Sequence, residues 1–112
     1  MSRPLLSICI VNWNTCGLLR ECLASIRADP ASNNWEVIVV DNASSDDSVE
    51  MVRREFSQVR LLISSTNLGF VGANNWAMEE ALADYWLLLN SDTRVEIGSL
   101  SVLVDFLDLQ FE

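Results

Sequence analysis

The sequence predicts an α/β fold in which helices cover both faces of a parallel sheet. Two observations lead there. Four short apolar runs recur along the 112 residues, each ending in polar residues, and each is followed by a stretch whose apolar residues repeat at helical spacing. Strands that alternate with helices are joined by crossovers, and crossovers make neighbours parallel. Half of the residues are apolar, enough to bury the core of a single domain.

The first strand is expected at Leu5–Asn12, a continuous apolar run of the kind buried on both faces. Cys16 to Ala28 follows as a helix, with Leu18, Leu19, Cys22, Leu23 and Ile26 on one face. Val37–Val40, closed by Asp41, is the second strand. The segment SSDDS then supplies capping residues and first-turn acids to a helix whose stripe is Val49, Val52 and Phe56. Val59–Ile63 is the third strand, and a helix from about Val71 to Ala83 buries Ala73, Trp76, Ala77 and Ala81. Tyr85–Leu89, ending at Asn90, is the fourth strand. The last helix, Gly98 to Leu109, turns Leu100, Leu103, Val104 and Leu107 inward. Right-handed crossovers give a Rossmann-like sheet of order 3-2-1-4, with a switch point between strands 1 and 4 where such sheets bind ligands.

The polar residues gather at the strands' carboxyl ends: Asn12-Trp13-Asn14-Thr15, Asp41-Asn42-Ala43-Ser44-Ser45-Asp46, Asn67-Leu68-Gly69-Phe70 and Asn90-Ser91-Asp92-Thr93. Amides and acids converging on one edge suit a phosphorylated or sugar ligand, although the same residues also populate turns and caps. Sixteen acids against seven bases, a net charge of −9, argue against nucleic acid and against an anionic membrane surface. The absence of His excludes a Ser-His-Asp triad, so the chemistry falls to carboxylates, amides, hydroxyls, backbone groups or a hard cation. No G-x-G-x-x-G, P-loop or G-x-S-x-G string occurs. The three Cys form no pair motif and are expected as small buried hydrophobes. The N-terminal stretch lacks the layout of a signal peptide, and no apolar run is long enough to span a bilayer, so a cytoplasmic protein is expected.

The strings LSICIVNWN, EVIVVDNASSDDS, NLGFVGANN and YWLLLNSDT resemble, in order and spacing, the N-terminal half of family-2 glycosyltransferases over residues 5–100. These are inverting enzymes of the GT-A fold, and the similarity is greatest to the rhamnosyltransferase-like bacterial branch. The resemblance implies a nucleoside-diphosphate-sugar donor, UDP- or dTDP-linked, and a hydroxyl acceptor on a glycan or glycolipid of the cell wall or another polysaccharide. It implies donor contacts from Val11, Asn12, Trp13 and Asn14 at the end of strand 1 and from Asp41 and Asn42 after strand 2. Asp41 would accept from base or ribose; its other reading is a turn cap. Asn67, Gly69, Asn74 and Asn75 resemble the N-x-G-F-x-x-A-x-N element; Gly69 fits a positive φ or a close approach, and the helix beginning near Gly72 would aim its N-terminus at the donor. Asn75 is read equally as a helix-packing residue. Asn90, standing where the family's first metal-motif acid falls, would either contact the donor or hold Asp92. By the same resemblance Asp92 would be the ligand of a divalent cation, Mg²⁺ or Mn²⁺, or else a helix cap. Trp13, Trp76 and Trp86 are read as core or pocket wall.

The family's acceptor base falls well beyond the N-x-D motif, so none is expected within residues 1–112; Asp105 and Asp108 lie in the last helix. The resemblance thus reads the chain as the donor-binding half of a GT-A domain, in a protein that is cytoplasmic or peripheral at the inner membrane. Val102, Phe106, Leu109 and Phe111, apolar beyond the last helix's core stripe, are expected to join copies into a homodimer at the open edge. Two other functions remain open at this point. A nucleotidyltransferase would be expected to carry a Gly-rich, basic first loop, which NWNTCG is not. A catalytically inactive interaction module would bind neither nucleotide nor metal.

Overall fold

The computed structural model describes residues 3–111. Its elements in chain order are β1 (Leu6–Asn12), α1 (Cys16–Arg27), a 3-10 turn (Pro30–Asn34), β2 (Trp35–Asn42), α2 (Ser48–Glu55), β3 (Arg60–Ser64), α3 (Gly69–Glu80), β4 (Trp86–Asn90) and α4 (Ser99–Phe111). The four strands form one parallel sheet in the order β3-β2-β1-β4, as expected.

Alternation along the inner strands builds two cores. Leu6, Ile8 and Ile10 of β1 and Val39 of β2 face α1, α2 and α4, where they meet Leu19, Cys22, Leu23, Ile26, Met51, Val52, Leu100 and Val104. Cys9, Ile38 and Val40 point the other way, onto Ala73 and Ala77 of α3. The small alanines let α3 lie close against β1 and β2. The two faces are therefore covered unequally, by three helices and by one.

That inequality accounts for most departures from expectation. The fourth strand is not buried on both faces: along β4 burial alternates, and Trp86 and Leu88 are exposed on the side α3 does not reach. Trp13 is also exposed, so Trp13 and Trp86 are not core, whereas Trp76 is half-buried against the smaller core; Trp35, at the start of a longer β2, is buried. Leu18 is exposed because Leu19, Cys22, Leu23 and Ile26 already fill the face that α1 turns inward. In α2, Met51 and Ser48 are fully buried while Val49 is only half so. The third helix begins at Gly69 rather than Val71 and ends at Glu80, leaving Ala83 buried in the following loop and Ala81 half-buried. Only Leu100 and Val104 of α4 are buried; Leu103 and Leu107 are partly open, and the Phe111 side chain lies outside the described residues. Cys9 and Cys22 are buried as expected, and burial pushes each thiol up to about 11, but Cys16 is half-exposed. Among the described residues no helix is long and apolar enough to cross a membrane.

Candidate functional site

Register brings the polar strand ends side by side. Asn12 stands opposite Asp41, Val11 opposite Asn90, and Asn42 opposite Ser64. Asn12 and Asp41 form a buried polar floor, 0% and 2% exposed. Asn12 Nδ2 donates to Asp41 Oδ1 at 3.1 Å, and Ser44 donates to the same carboxylate from its N–H at 2.9 Å and from Oγ at 2.8 Å. Asp41 therefore caps the turn leaving β2 and anchors the end of β1 at once.

Two residues in the left-handed region make the adjoining loops turn sharply: Asn14, φ 52°, and Ala43, φ 65°. Asn14 compensates with local bonds, because its Oδ1 accepts from Ser45 N at 2.7 Å and its N–H donates to Ser44 Oγ at 2.9 Å. Asp46 Oδ2 accepts from Cys16 N at 3.1 Å, so the first N–H of α1 is capped from the neighbouring loop. Burial alone would raise the Asp46 carboxyl; the hydrogen bonds from Ser48 and Cys16 outweigh it and hold that carboxyl below the usual aspartate range.

Asn42 clamps the third corner. Its Oδ1 accepts from Leu68 N at 2.7 Å and its Nδ2 donates to Gly69 O at 3.2 Å. Gly69 takes φ 74° at the start of α3, where a side chain would be strained although space is open around it; the positive φ, not a close approach, requires glycine. Asn67 Oδ1 accepts from Gly69 N at 2.8 Å. The N-cap N–H and the first N–H of α3 are thus taken up by the chain itself, and the helix starts three residues ahead of Gly72. Asn75 is exposed, whereas its neighbour Asn74 is buried with neither amide atom bonded.

On the other side of β1, Asn90 and Asp92 are exposed and Ser91 is half-buried. Ser91 Oγ lies 2.8 Å from Thr15 Oγ1, which in turn donates to Asn12 Oδ1 at 2.7 Å. Among the described residues no hydrogen bond or ion pair reaches the Asp92 carboxylate. A carboxylate, an amide oxygen and a hydroxyl are hard donors, which suit Mg²⁺ or Mn²⁺ rather than a soft metal. Among the described residues no group of three His, Cys, Asp or Glu is placed to hold an ion. A cation at Asp92 would therefore complete its shell with phosphate oxygens and water, the usual arrangement for Mg²⁺ beside a diphosphate. The site thus joins Val11, Asn12, Asp41, Asn42, Asn67 and Gly69 around one floor, with Trp13 and Asn14 on its rim and Asn90 and Asp92 across β1. Thr15, Ser44, Asp46 and Ser91 were absent from the sequence-based candidates. Thr15 and Ser44 each stand three residues behind a strand-end Asn or Asp and bond back to it, the spacing at which such side chains close a turn.

Residues 7–110 match the family model described as Glycosyl transferase family 2. The chain belongs to this family. An uncharacterized glycosyltransferase of Haemophilus influenzae is 30% identical over 111 residues, covering 96% of this chain and 44% of its own length. TarS of Staphylococcus aureus, a poly(ribitol-phosphate) β-N-acetylglucosaminyltransferase, is 27% identical over 106 residues, 91% of this chain and 18% of TarS. The structure of TarS 1–349 in complex with UDP-GlcNAc superposes with a TM-score of 0.82 at 25% identity, covering 93% of this chain and 31% of that one. The mannosyltransferase PcManGT of Pyrobaculum calidifontis, in complex with GDP-Man and Mn²⁺, shares the fold at a TM-score of 0.77 and 22% identity, over 100% of this chain and 34% of that one. The family-2 chain has the GT-A architecture, and it spans less than half the length of these relatives.

Proposed function

We propose that this chain forms the donor side of an inverting glycosyltransferase, which moves a sugar from a nucleoside diphosphate to a hydroxyl of a cell-wall or other surface glycan. The observation that carries this reading is the unpaired Asp92 carboxylate standing across β1 from the buried Asn12–Asp41 floor. A nucleoside is received at one end of the edge and a diphosphate at the other. Membership of the family and the UDP-GlcNAc complex of the TarS relative support it.

Val11 to Asn14 form a wall of the nucleoside pocket, with the Trp13 ring, 55% exposed, as its open surface. Asp41 holds Asn12 and Ser44 in place and keeps acceptor capacity for a base or ribose donor, since a carboxylate offers about four lone-pair sites. Asn90 and Asp92 face the diphosphate. A bound Mg²⁺ or Mn²⁺ supplies charge neutralisation for the departing diphosphate. Asp108 of α4 does not serve as the acceptor's base: it accepts from the Tyr85 hydroxyl at 3.0 Å, beside the amino end of β4 and away from Asp92. That base belongs to a part of the transferase outside residues 1–112, working in the cytoplasm or at the inner face of the membrane.

Calorimetry with UDP, dTDP, GDP and CDP, each with and without Mn²⁺, tests the reading. We expect one nucleotide to bind, more tightly with Mn²⁺, and Asp92→Asn to abolish the metal-dependent gain. Binding of none of the four overturns the donor-site reading. An unchanged gain in Asp92→Asn removes Asp92 from the metal.

A further inference from the structure

We propose that Thr15 is a positioning residue for the Asp92 turn, acting through a hydrogen-bond chain anchored on Asp41; this rests on the donor-site reading above. Thr15 occupies the N-cap position of α1, where a threonine hydroxyl ordinarily accepts from the helix, yet it makes no such bond. Asp46 from the neighbouring loop caps Cys16 N in its place, at 3.1 Å. The Thr15 hydroxyl is thereby free to point across β1.

Counting protons fixes the direction of every bond in the chain. A hydroxyl has one hydrogen, and that of Thr15 goes to Asn12 Oδ1 at 2.7 Å. Ser91 must then be the donor in its 2.8 Å contact with Thr15 Oγ1. Asn12 uses its Nδ2 to donate to Asp41 Oδ1 at 3.1 Å. All three bonds run the same way, Ser91 to Thr15 to Asn12 to Asp41, and end on a buried carboxylate. Bonds so aligned polarise one another, and a charged terminal acceptor strengthens the series.

The far end of this chain is the segment that carries Asp92. Among the described residues, the bond to Thr15 is the one side-chain hydrogen bond that Asn90, Ser91 or Asp92 makes. The turn's other ties are backbone: the β1–β4 ladder that ends at Val11 and Asn90, and Thr93 N to Asn90 O at 3.1 Å. Thr15 therefore sets the direction in which the Asp92 carboxylate is presented, and it links that direction to the floor that receives the nucleoside.

The test is the ratio of affinity with Mn²⁺ to affinity without it for whichever of UDP, dTDP, GDP and CDP the wild-type protein binds, measured calorimetrically on the 112-residue chain. Thr15→Val keeps the shape and removes the hydroxyl; Thr15→Ser keeps the hydroxyl; Ser91→Ala removes the donor from a half-exposed turn. We expect Thr15→Val and Ser91→Ala each to lower the ratio by about tenfold, the upper range for one hydrogen bond, while Thr15→Ser restores it to within about twofold. Should Thr15→Val fail to fold, Ser91→Ala decides. A wild-type ratio in both variants, or no rescue by Thr15→Ser, overturns the role of Thr15 and leaves the donor site standing. Wild-type protein that binds its nucleotide with no gain from Mn²⁺ overturns it as well, whereas wild-type protein that binds none of UDP, dTDP, GDP and CDP overturns the donor-site reading and this inference with it.

Discussion

Asn12 and Asn74 are both buried amides, 0% and 4% exposed, and they stand in opposite positions energetically. Asn12 has its oxygen on Thr15 and its nitrogen on Asp41, whereas both amide atoms of Asn74 lack a partner. Removing a satisfied amide leaves its partners orphaned at about 1–3 kcal/mol, while removing an unsatisfied one relieves a desolvation penalty. Asn12→Ala should therefore lower stability by about 2 kcal/mol, and Asn74→Ala should leave it unchanged or raise it, helped by alanine's helix propensity of about 0.5 kcal/mol over asparagine. Urea unfolding of both variants checks this; a loss above about 1 kcal/mol in Asn74→Ala would mean that the amide has a partner. Sequence spacing located Asn12, Asp41 and Asn42 because each ends an apolar run. It could not say that Asn12 and Asp41 bond each other, since that depends on the register between β1 and β2. For the same reason Thr15 and Ser91, 76 residues apart, carried no signal of their contact.

At the scale of elements, the sheet is held at both ends by polar clamps, and the one at the amino end titrates. Glu36 Oε1 accepts from Ser7 Oγ at 2.7 Å and from Leu82 N at 2.9 Å, and Oε2 accepts from Arg60 Nη1 at 3.0 Å. The carboxylate thus joins β1, β2, β3 and the loop that leads into β4. Burial would raise its pKa; the bonds from Leu82, Ser7 and Arg60 outweigh that and hold it below the usual glutamate range. A carboxyl depressed in the folded state stabilises the fold above its unfolded pKa, and that stabilisation is lost as pH falls through the folded value. Wild-type protein should therefore lose stability on acidification from neutrality to below pH ~4, and Glu36→Gln should flatten that loss while being less stable at pH 7. Thermal melts across the range test this, and parallel pH profiles in the two proteins would remove Glu36 as the source. α3 gives a complementary steric test. Ala77 is fully buried against the sheet, so Ala77→Leu should cost about 1–3 kcal/mol by overpacking. Element order and topology were legible because all three connections between strands carry a helix, and crossovers between parallel strands are right-handed as a rule. Burial of the outer strands was not, because an apolar run such as WLLLN reads the same whether or not a helix lies over each face.

At the scale of the whole molecule, the sheet ends in two edge strands, β3 and β4, and the β4 edge is the one beside the Asp92 turn. Among the described residues nothing pairs with the outer edge of β4 or covers Trp86 and Leu88, 53% and 43% exposed on the face away from α4. On α4 itself Val102, Phe106 and Leu109 are 69%, 55% and 73% exposed. An open strand edge with exposed apolar side chains on both sides is a template for pairing, and two-fold pairing is the commonest closed solution. The net charge of −9 opposes it, because like-charged copies repel. The balance between these terms can be read from salt dependence, since repulsion between surface charges is screened over about 8 Å at 0.15 M while apolar contact is not weakened. We expect the 112-residue chain to sediment as a dimer at micromolar concentration, with association tightening as salt is raised. Leu88→Lys, which places a charge on the open face without touching either core, should return it to monomer. A wild-type chain that stays monomeric at all salt concentrations would show that this edge does not self-pair, and a dimer undisturbed by Leu88→Lys would move the interface from β4 to α4.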